Sequence, residues 1–508
     1  MKLSWRRIAA MTKANTPVTL LSLVLAIASF AGCGGSQRPD PPSPAPLSAG
    51  NLNLIFVVSE DLDYQASGDI NARTANLTSR GLQRALMMGS FLQQKVLGGH
   101  NVNGIFALQP MTHLQTAQQY PDMVPLETIQ QFAMLNQITL FHQNDTPVAA
   151  NSFPVSVSYA SDNVPDGVVR PLLTCSPGDG LSHSCQGLDF RDPSGANEDL
   201  LRDLISANAS GSFVFTAPWE TVATMMAGIN RLERYQLRLP ATYLGPDYVY
   251  AISISPFKQA DLLTYNSNID PPSGYPILPA GGIVKSACLP TLTNTTFHVQ
   301  VTGGVDGAVA PAGINANETV YFVRHAEAHP TSWWEDGNYV GPGQWRALDL
   351  PYALRGKIQA TLVYSIDPAQ ITPGSQSSVS DTYSYVRTNT TVLPYAIANN
   401  LPYKLAASFS MLAQNPPQLA TQASDFFFTG GQFSNQTLLV GWEHDHIPAT
   451  VNALLSTYHV GKTVPDWPDD DYDTIWTVKV DGNGNVSVDN SMCEGISSAR
   501  LPKAPPQF

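Results

Sequence analysis

Arg324-His325-Ala326-Glu327 sets an arginine beside a histidine with a carboxylate two residues on, a combination suited to chemistry on an oxyanion. A neutral imidazole can attack phosphorus, while a guanidinium offers a planar fork of donors that matches two phosphate oxygens. The run Thr319-Val320-Tyr321-Phe322-Val323 just before them is apolar and β-rich, and reads as a buried strand. The four residues therefore fall where that strand must end, the usual position for a ligand in parallel α/β sheets.

With this motif at a strand end, the chain resembles the histidine phosphatase superfamily, the phosphoglycerate-mutase-like enzymes whose hallmark is an Arg-His-Gly-Glu type motif. Phosphoryl transfer also needs a second cation near the equatorial oxygens. The stretch SDTYSYVRTNTTVLPYAIANNL supplies Arg387 at the entrance to a helical-looking run. It is similar to the superfamily's Ser-Pro-x-x-Arg-x-x-x-Thr-Ala segment, with Thr391 on the threonine, although Tyr383-Ser384 replace Ser-Pro and Val392 replaces the alanine. The apolar run Thr437-Leu438-Leu439-Val440-Gly441 then leads into Trp442-Glu443-His444, which resembles the late strand that delivers the superfamily's second histidine. The resemblance implies that His325 Nε2 is the nucleophile and forms a phosphohistidine that water hydrolyses. Arg324, Arg387 and His444 would surround the oxygens, with no metal or cofactor required.

The general acid departs from the mutase-like pattern, because no acidic residue occurs from 388 to 424. Asp445 follows His444 directly, and a His-Asp pair is where the acid phosphatase branch keeps its proton donor. Asp445 is the first candidate, with Glu443 and Glu327 as alternatives that could instead orient a neighbouring imidazole or arginine. Two readings of other classes stand beside this one. His325-x-x-x-His329 with His444-x-His446 could form the metal site of a hydrolase, which would leave both arginines without a role. The chain could also be a binding or scaffold lipoprotein that has lost catalysis.

The 508 residues, 43% of them hydrophobic, can bury large cores and predict more than one domain. The net charge of -13, with no basic run in the mature part, argues against nucleic acid as a partner and requires any phosphate site to be a local positive pocket. The expected partner is a phosphorylated small molecule or phosphoprotein. Lys2, Arg6, Arg7 and Lys13 precede the apolar run PVTLLSLVLAIASFAG, the layout of a secretory signal over residues 1–32. Ala31-Gly32-Cys33 resembles a bacterial lipoprotein signal, with Cys33 lipidated and the protein membrane-attached in the periplasm or at the cell surface. Residues 33–50 read as a disordered Pro-rich tether. Cys175, Cys185, Cys288 and Cys493 remain, an even number consistent with disulfides in an oxidising compartment. Cys175 with Cys185 would close a short loop, and Cys288 with Cys493 would pin the tail to the middle of the chain.

Four marks recur in the same order in the two halves. Phe56-Val57 can be laid over Phe322-Val323, Arg80-Gly81 over Arg355-Gly356, Trp219-Glu220-Thr221 over Trp442-Glu443-His444, and PDYVYAISIS over DDYDTIWTVKV. Ser59 and Thr221 then fall on His325 and His444. The expectation is an α/β protein of two three-layer domains with mostly parallel sheets. A degenerate copy would span 51–290 and an active one 315–490, followed by a tail over 491–508. The Pro- and Gly-rich stretch ahead of 290 predicts an exposed connection, with the boundary between 290 and 315. Asp481 to Asn485 lacks the glycine and closing glutamate of a calcium loop and reads as a hairpin turn. The aspartates of PDWPDDDYD read as a solvated loop that could hold a cation.

Overall fold

The computed structural model describes residues 43–58, 76–110, 121–141, 147–157, 196–272, 283, 296–301, 308–328, 336–368, 371–372, 383–406 and 416–508. Cys33, Cys175, Cys185, Cys288, Ser59 and His329, with the signal segment, lie outside them.

The first half runs β1 (Leu52–Val58), α1 (Ser79–Phe91), β2 (Gly104–Ala107), α2 (Val124–Leu135), β3 (Ile138–Phe141), β4 (Pro147–Ala150), β5 (Val155–Val157), α3 (Ala196–Ser206), β6 (Gly211–Ala217), α4 (Trp219–Leu232), β7 (Tyr248–Ile254) and β8 (Ala260–Asn266). The second runs β9 (Thr296–Val299), β10 (Glu318–Arg324), α5 (Gly341–Ala353), β11 (Leu362–Ile366), β12 (Ile371–Thr372), β13 (Tyr383–Ser384) and α6 (Arg387–Asn399). It continues through β14 (Tyr403–Ala406), α7 (Pro416–Phe428), β15 (Thr437–Trp442), α8 (His446–Thr457), β16 (Thr474–Val480) and β17 (Val486–Cys493).

Two mixed sheets organise these elements. One has the order β5-β2-β6-β1-β7-β8 and the other β14-β11-β15-β10-β16-β17-β9. In each, four strands are parallel and the strands beyond the central one run antiparallel. Matched from β1 and β10 outward, the two orders and strand directions are the same, with β9 added at one edge. The tight hairpin from β16 to β17 turns at Asp481, whose N–H donates to Asn485 O at 3.0 Å.

Alternation along the strands decides which side chains meet which layer. Leu54, Phe56 and Phe215 face α3 and α4, while Val320, Phe322 and Val440 face α7 and α8. The other faces of both sheets contribute to one continuous apolar cluster. It includes Ile55, Val57 and Val214 from the first sheet and Val323, Val363 and Leu439 from the second, with α1, α2, α5 and α6 between. Polar contacts also cross between the halves: Gln130 Nε2 donates to Asn338 Oδ1 at 2.7 Å, and Ser152 Oγ to Asp336 Oδ2 at 3.0 Å.

Several expectations meet a different structure. Leu47, within the stretch read as a tether, is buried in the shared core. Thr296–Val299, within the expected boundary region, forms the edge strand β9 against β17. The tail lies across both halves: Lys503 O accepts from Asn151 Nδ2, Ala504 O from Trp345 Nε1 and Pro506 O from Gln131 Nε2, each at 2.7 to 2.8 Å. Cys493 is disulfide-bonded, and the other four cysteines lie outside the described residues.

Two of the four recurring marks shift as well. Arg80-Gly81 opens α1, whereas Arg355-Gly356 follows the end of α5. Register pairs Val58 with Ala217 and Arg324 with Trp442, so Ala217 occupies the place of Trp442 and Trp219 that of His444. Trp219 and Thr221 belong to helix α4, two residues out of step with the sequence match, because α4 starts closer to its strand than α8 does.

Candidate active site

Arg324 is the last residue of β10, at the centre of its sheet, and lies beside the end of β15. His325 continues the ladder, its N–H donating to Trp442 O at 2.8 Å. The imidazole is 1% exposed, and its Nδ1 lies 2.8 Å from Ala326 O. A carbonyl oxygen only accepts, so Nδ1 carries the proton and the lone pair of the neutral ring resides on Nε2. Burial, then the charges of Arg387 and Arg324, hold the His325 pKa well below the ordinary imidazole value. At neutral pH the ring is therefore an uncharged base.

Helix α6 begins at Arg387, with the N–H groups of Val386 and Arg387 both donating to Gly337 O. Thr391, one turn on, accepts from Ala326 N at 2.9 Å and donates to Arg387 O at 2.7 Å. That threonine fastens the start of α6 to the end of β10. Close packing against β15 fixes the helix too, since a Cβ on Gly441 would stand 2.9 Å from Thr388 O and 2.8 Å from Val392 Cγ1. Glycine is needed here for room.

Arg324 is 2% exposed and is cradled by the loop ahead of β16. Its NH1 donates to Asp469 O at 2.7 Å, Asp471 O at 3.1 Å and Pro468 O at 3.3 Å. Its guanidinium carbon lies 4.0 Å from the ring centroid of Tyr472. The loop read as a possible cation site thus holds the cation of Arg324, and through main-chain carbonyls rather than aspartates. The Asp471 carboxylate instead accepts from Asp473 N, Thr474 N and Thr474 Oγ1, starting β16. Nε of Arg324 is buried and has no protein partner among the described residues.

Glu443 is the hub on the other side. Its Oε2 accepts from Asp445 N at 2.9 Å, from His446 N at 3.3 Å and from His446 Nδ1 at 2.8 Å, while Oε1 contacts His444 Nδ1. Burial alone would raise this carboxyl, but the hydrogen bonds and charges of the two histidines outweigh it and hold Glu443 well below the usual carboxylate range. For His444 the balance reverses: burial pulls the imidazole down, and the bond to Glu443 and its charge more than offset this, so the pKa is raised. His444 Nε2 lies 3.3 Å from Asp469 Oδ1 and 3.7 Å from Asp445 Oδ1. Burial, then the charge of Glu443, raises the Asp445 pKa although its side chain is largely exposed.

Glu327 faces elsewhere. Both its oxygens accept from Arg346 Nε at 3.0 Å, and Arg346 also bonds Glu494 at 2.6 Å and Ile496 O at 3.0 Å. Burial would raise the Glu327 carboxyl, but Arg346 holds it below the usual range. Arg346 is wholly buried, so this network ties the end of β10 to the segment after β17. No motif marks Arg346, whose isolated position on α5 resembles that of any surface arginine.

The ligand atoms of His325, Glu443 and His444 lie within 4.8 Å of one another and could hold a metal ion. The charges of Arg324 and Arg387, which act on His325, would oppose a dication there. They suit a phosphoryl group, whose oxygens carry negative charge.

No family model and no curated protein sequence matches the chain. Among solved structures, it is similar to the phosphoserine phosphatase of Entamoeba histolytica in complex with 3-phosphoglyceric acid, at 16% identity over 43% of this chain and 98% of that one, with a TM-score of 0.24. Phosphoglycerate mutase from Plasmodium falciparum matches at 13% identity over 38% of this chain and 99% of that one, with a TM-score of 0.21.

Proposed function

We propose that this protein is a phosphomonoesterase that works through a phosphohistidine on His325 and needs no metal. The reading rests above all on His325, a neutral imidazole whose Nδ1 proton is held by Ala326 O and whose Nε2 is left for attack. Arg324 and Arg387 would bind the phosphoryl oxygens, with His444, whose pKa is raised by the bond to Glu443 and its charge against the pull of burial, as a further donor to the charge that develops in the transition state. Asp445 is the assigned general acid: it alone of the three candidate carboxyls has a raised pKa and a largely exposed side chain, so it can hold a proton for the leaving alkoxide. Glu443 orients the two histidines, and Glu327 anchors the strand end to Arg346.

The first half is read as a copy that has lost this chemistry. The shared strand order supports that, and the register places Trp219 where the second half has His444. Export, lipidation at Cys33 and a Cys288 to Cys493 disulfide belong to the same proposal, as does a phosphorylated small molecule or phosphoprotein as substrate.

Hydrolysis of an aryl phosphate by the purified mature protein in EDTA, with inhibition by vanadate, is the expected result. Activity lost in EDTA and restored by zinc would instead favour the metal-dependent hydrolase that His325, Glu443 and His444 could support. Absence of turnover on a broad panel of phosphate esters would favour a binding protein.

A further inference from the structure

No side chain caps α6, and the N–H groups of Val386 and Arg387 both donate to one main-chain oxygen, Gly337 O, at 2.9 and 3.0 Å. The turn that carries this oxygen is held from the first half. One carboxylate oxygen of Asp336 accepts from Asn338 N at 3.0 Å, and the other accepts from Ser152 Oγ at 3.0 Å. Asn338 accepts from Gln130 Nε2 at 2.7 Å and donates through Nδ2 to Phe153 O at 3.4 Å. A second hold lies just before Arg387 in the chain. Ser384 Oγ donates to Val157 O at 2.6 Å and accepts from Val157 N at 2.8 Å.

β5 is an edge strand of the first sheet, so the main-chain groups on its outer side need partners from beyond that sheet. A hydroxyl both donates and accepts, and the one hydroxyl of Ser384 engages both groups of Val157. Ser384, Ser152, Asp336 and Asn338 are all buried, where a hydrogen bond lost is not replaced freely by water. The two contacts therefore fix residues 337 and 384, which flank the start of α6, against the first half. Thr391 and Gly441 hold the helix from its own half, but one turn further on or at its side. His325 is placed differently, because β10 is paired on both sides within the second sheet and the His325 N–H continues that ladder. The sheet sets the nucleophile, and the seam between the halves sets the helix end that carries Arg387.

We infer that Ser384 and Ser152 are positioning residues, through which the first half fixes the start of α6 and with it the place of Arg387 in the phosphate site. This rests on the phosphatase reading above. The first half then contributes to the reaction without a reacting group of its own, by holding one end of one helix.

The test compares Ser384→Ala, Arg387→Ala and their double variant with the wild type in the full chain. The readouts are kcat/KM on an aryl phosphate, the affinity for orthovanadate and the melting temperature. Ser384→Ala is expected to lose about tenfold in both kcat/KM and vanadate affinity, less than the roughly hundredfold cost of a full 1 Å displacement. In the Arg387→Ala background the same truncation should cost much less than about tenfold, because the side chain it places is gone. Gln131 is the control, since it also crosses between the halves but ends at Pro506 O and at Gln344 on α5 rather than near Arg387. Gln131→Ala should lower the melting temperature while leaving both other readouts near wild type. Wild-type readouts in Ser384→Ala, an equal loss in Gln131→Ala, or the full loss repeated without the Arg387 side chain would each overturn the inference. Should Ser384→Ala fail to fold, Ser152→Ala decides by the same criteria. A wild type that binds vanadate but hydrolyses no ester counts against the phosphatase reading alone, because the vanadate affinities still decide the positioning role. A wild type that does neither overturns both.

Discussion

His325 owes its expected reactivity to the proton it keeps as much as to the one it lacks. The bond from Nδ1 to Ala326 O fixes the tautomer, and burial, then the charges of Arg387 and Arg324, make the cationic ring costly, so the nucleophile is neutral at neutral pH. The donors titrate the other way. Asp445 is useful as an acid only below its raised pKa, and His444 as a cation only below its own, so kcat/KM should decline as pH rises through these values. Asp445→Asn should then cost about 10²–10⁴-fold on an alkyl phosphate and far less on an aryl phosphate, whose phenolate leaves without a proton. Equal losses on both esters would remove Asp445 from the role of general acid. Arg324 and His325 were legible in the sequence because the motif is contiguous and follows an apolar strand run. Tyr472 was not, since it lies among aspartates in a stretch that reads as solvated, and main-chain carbonyls that hold an arginine leave no trace in residue type.

At the scale of elements, the site is a meeting of three strand or helix ends: β10 brings Arg324 and His325, α6 brings Arg387, and β15 leads into Glu443 and His444. Their mutual position depends on Gly441, whose missing Cβ lets α6 approach β15 at Thr388 and Val392. Gly441→Ala should force α6 outward, destabilising the protein by about 1–3 kcal/mol. Because Arg387 opens that helix, kcat/KM should fall further, by as much as about a hundredfold for a displacement near 1 Å. Thermal melts and kinetics on one preparation measure both, and a lowered melting temperature with unchanged kcat/KM would uncouple the helix from the site. Apolar runs made the central strands readable, as at 319–323 and 437–441. The matches resting on Arg80-Gly81 and Trp219 misled, because identical pairs occur on elements that start at different points relative to their sheets.

Across the whole molecule, the apolar cluster shared by both sheets and the tail laid over both halves make the first half a structural support for the site. Nothing local in sequence announces such a layer: every residue of α2 is buried, although Glu127, Gln130 and Gln131 are among them and would read as a solvated face. The shared strand order is likewise a property of pairing rather than of residue type. Two buried carboxyls set a pH limit on this assembly. Glu127, which accepts from Leu77 N, and Glu318, which accepts from Asn315 Nδ2, are each pushed up to about 8 by burial. With folded pKa values above the unfolded ones, both bind more protons when folded, so their contribution is complete below the ordinary carboxylate pKa and is lost as pH rises through about 8. The melting temperature should accordingly fall toward alkaline pH, and Glu318→Gln should flatten that fall. An unchanged slope in the glutamine variant would mean that Glu318 is ionised in the folded protein.

The central claim is a covalent phosphohistidine, and the most direct measurement is to quench a reaction with a labelled phosphomonoester, then map the phosphate on the protein by peptide. The account predicts acid-labile, base-stable label on His325 that disappears in His325→Ala together with turnover. Label on any other residue, or steady turnover by His325→Ala, would contradict it.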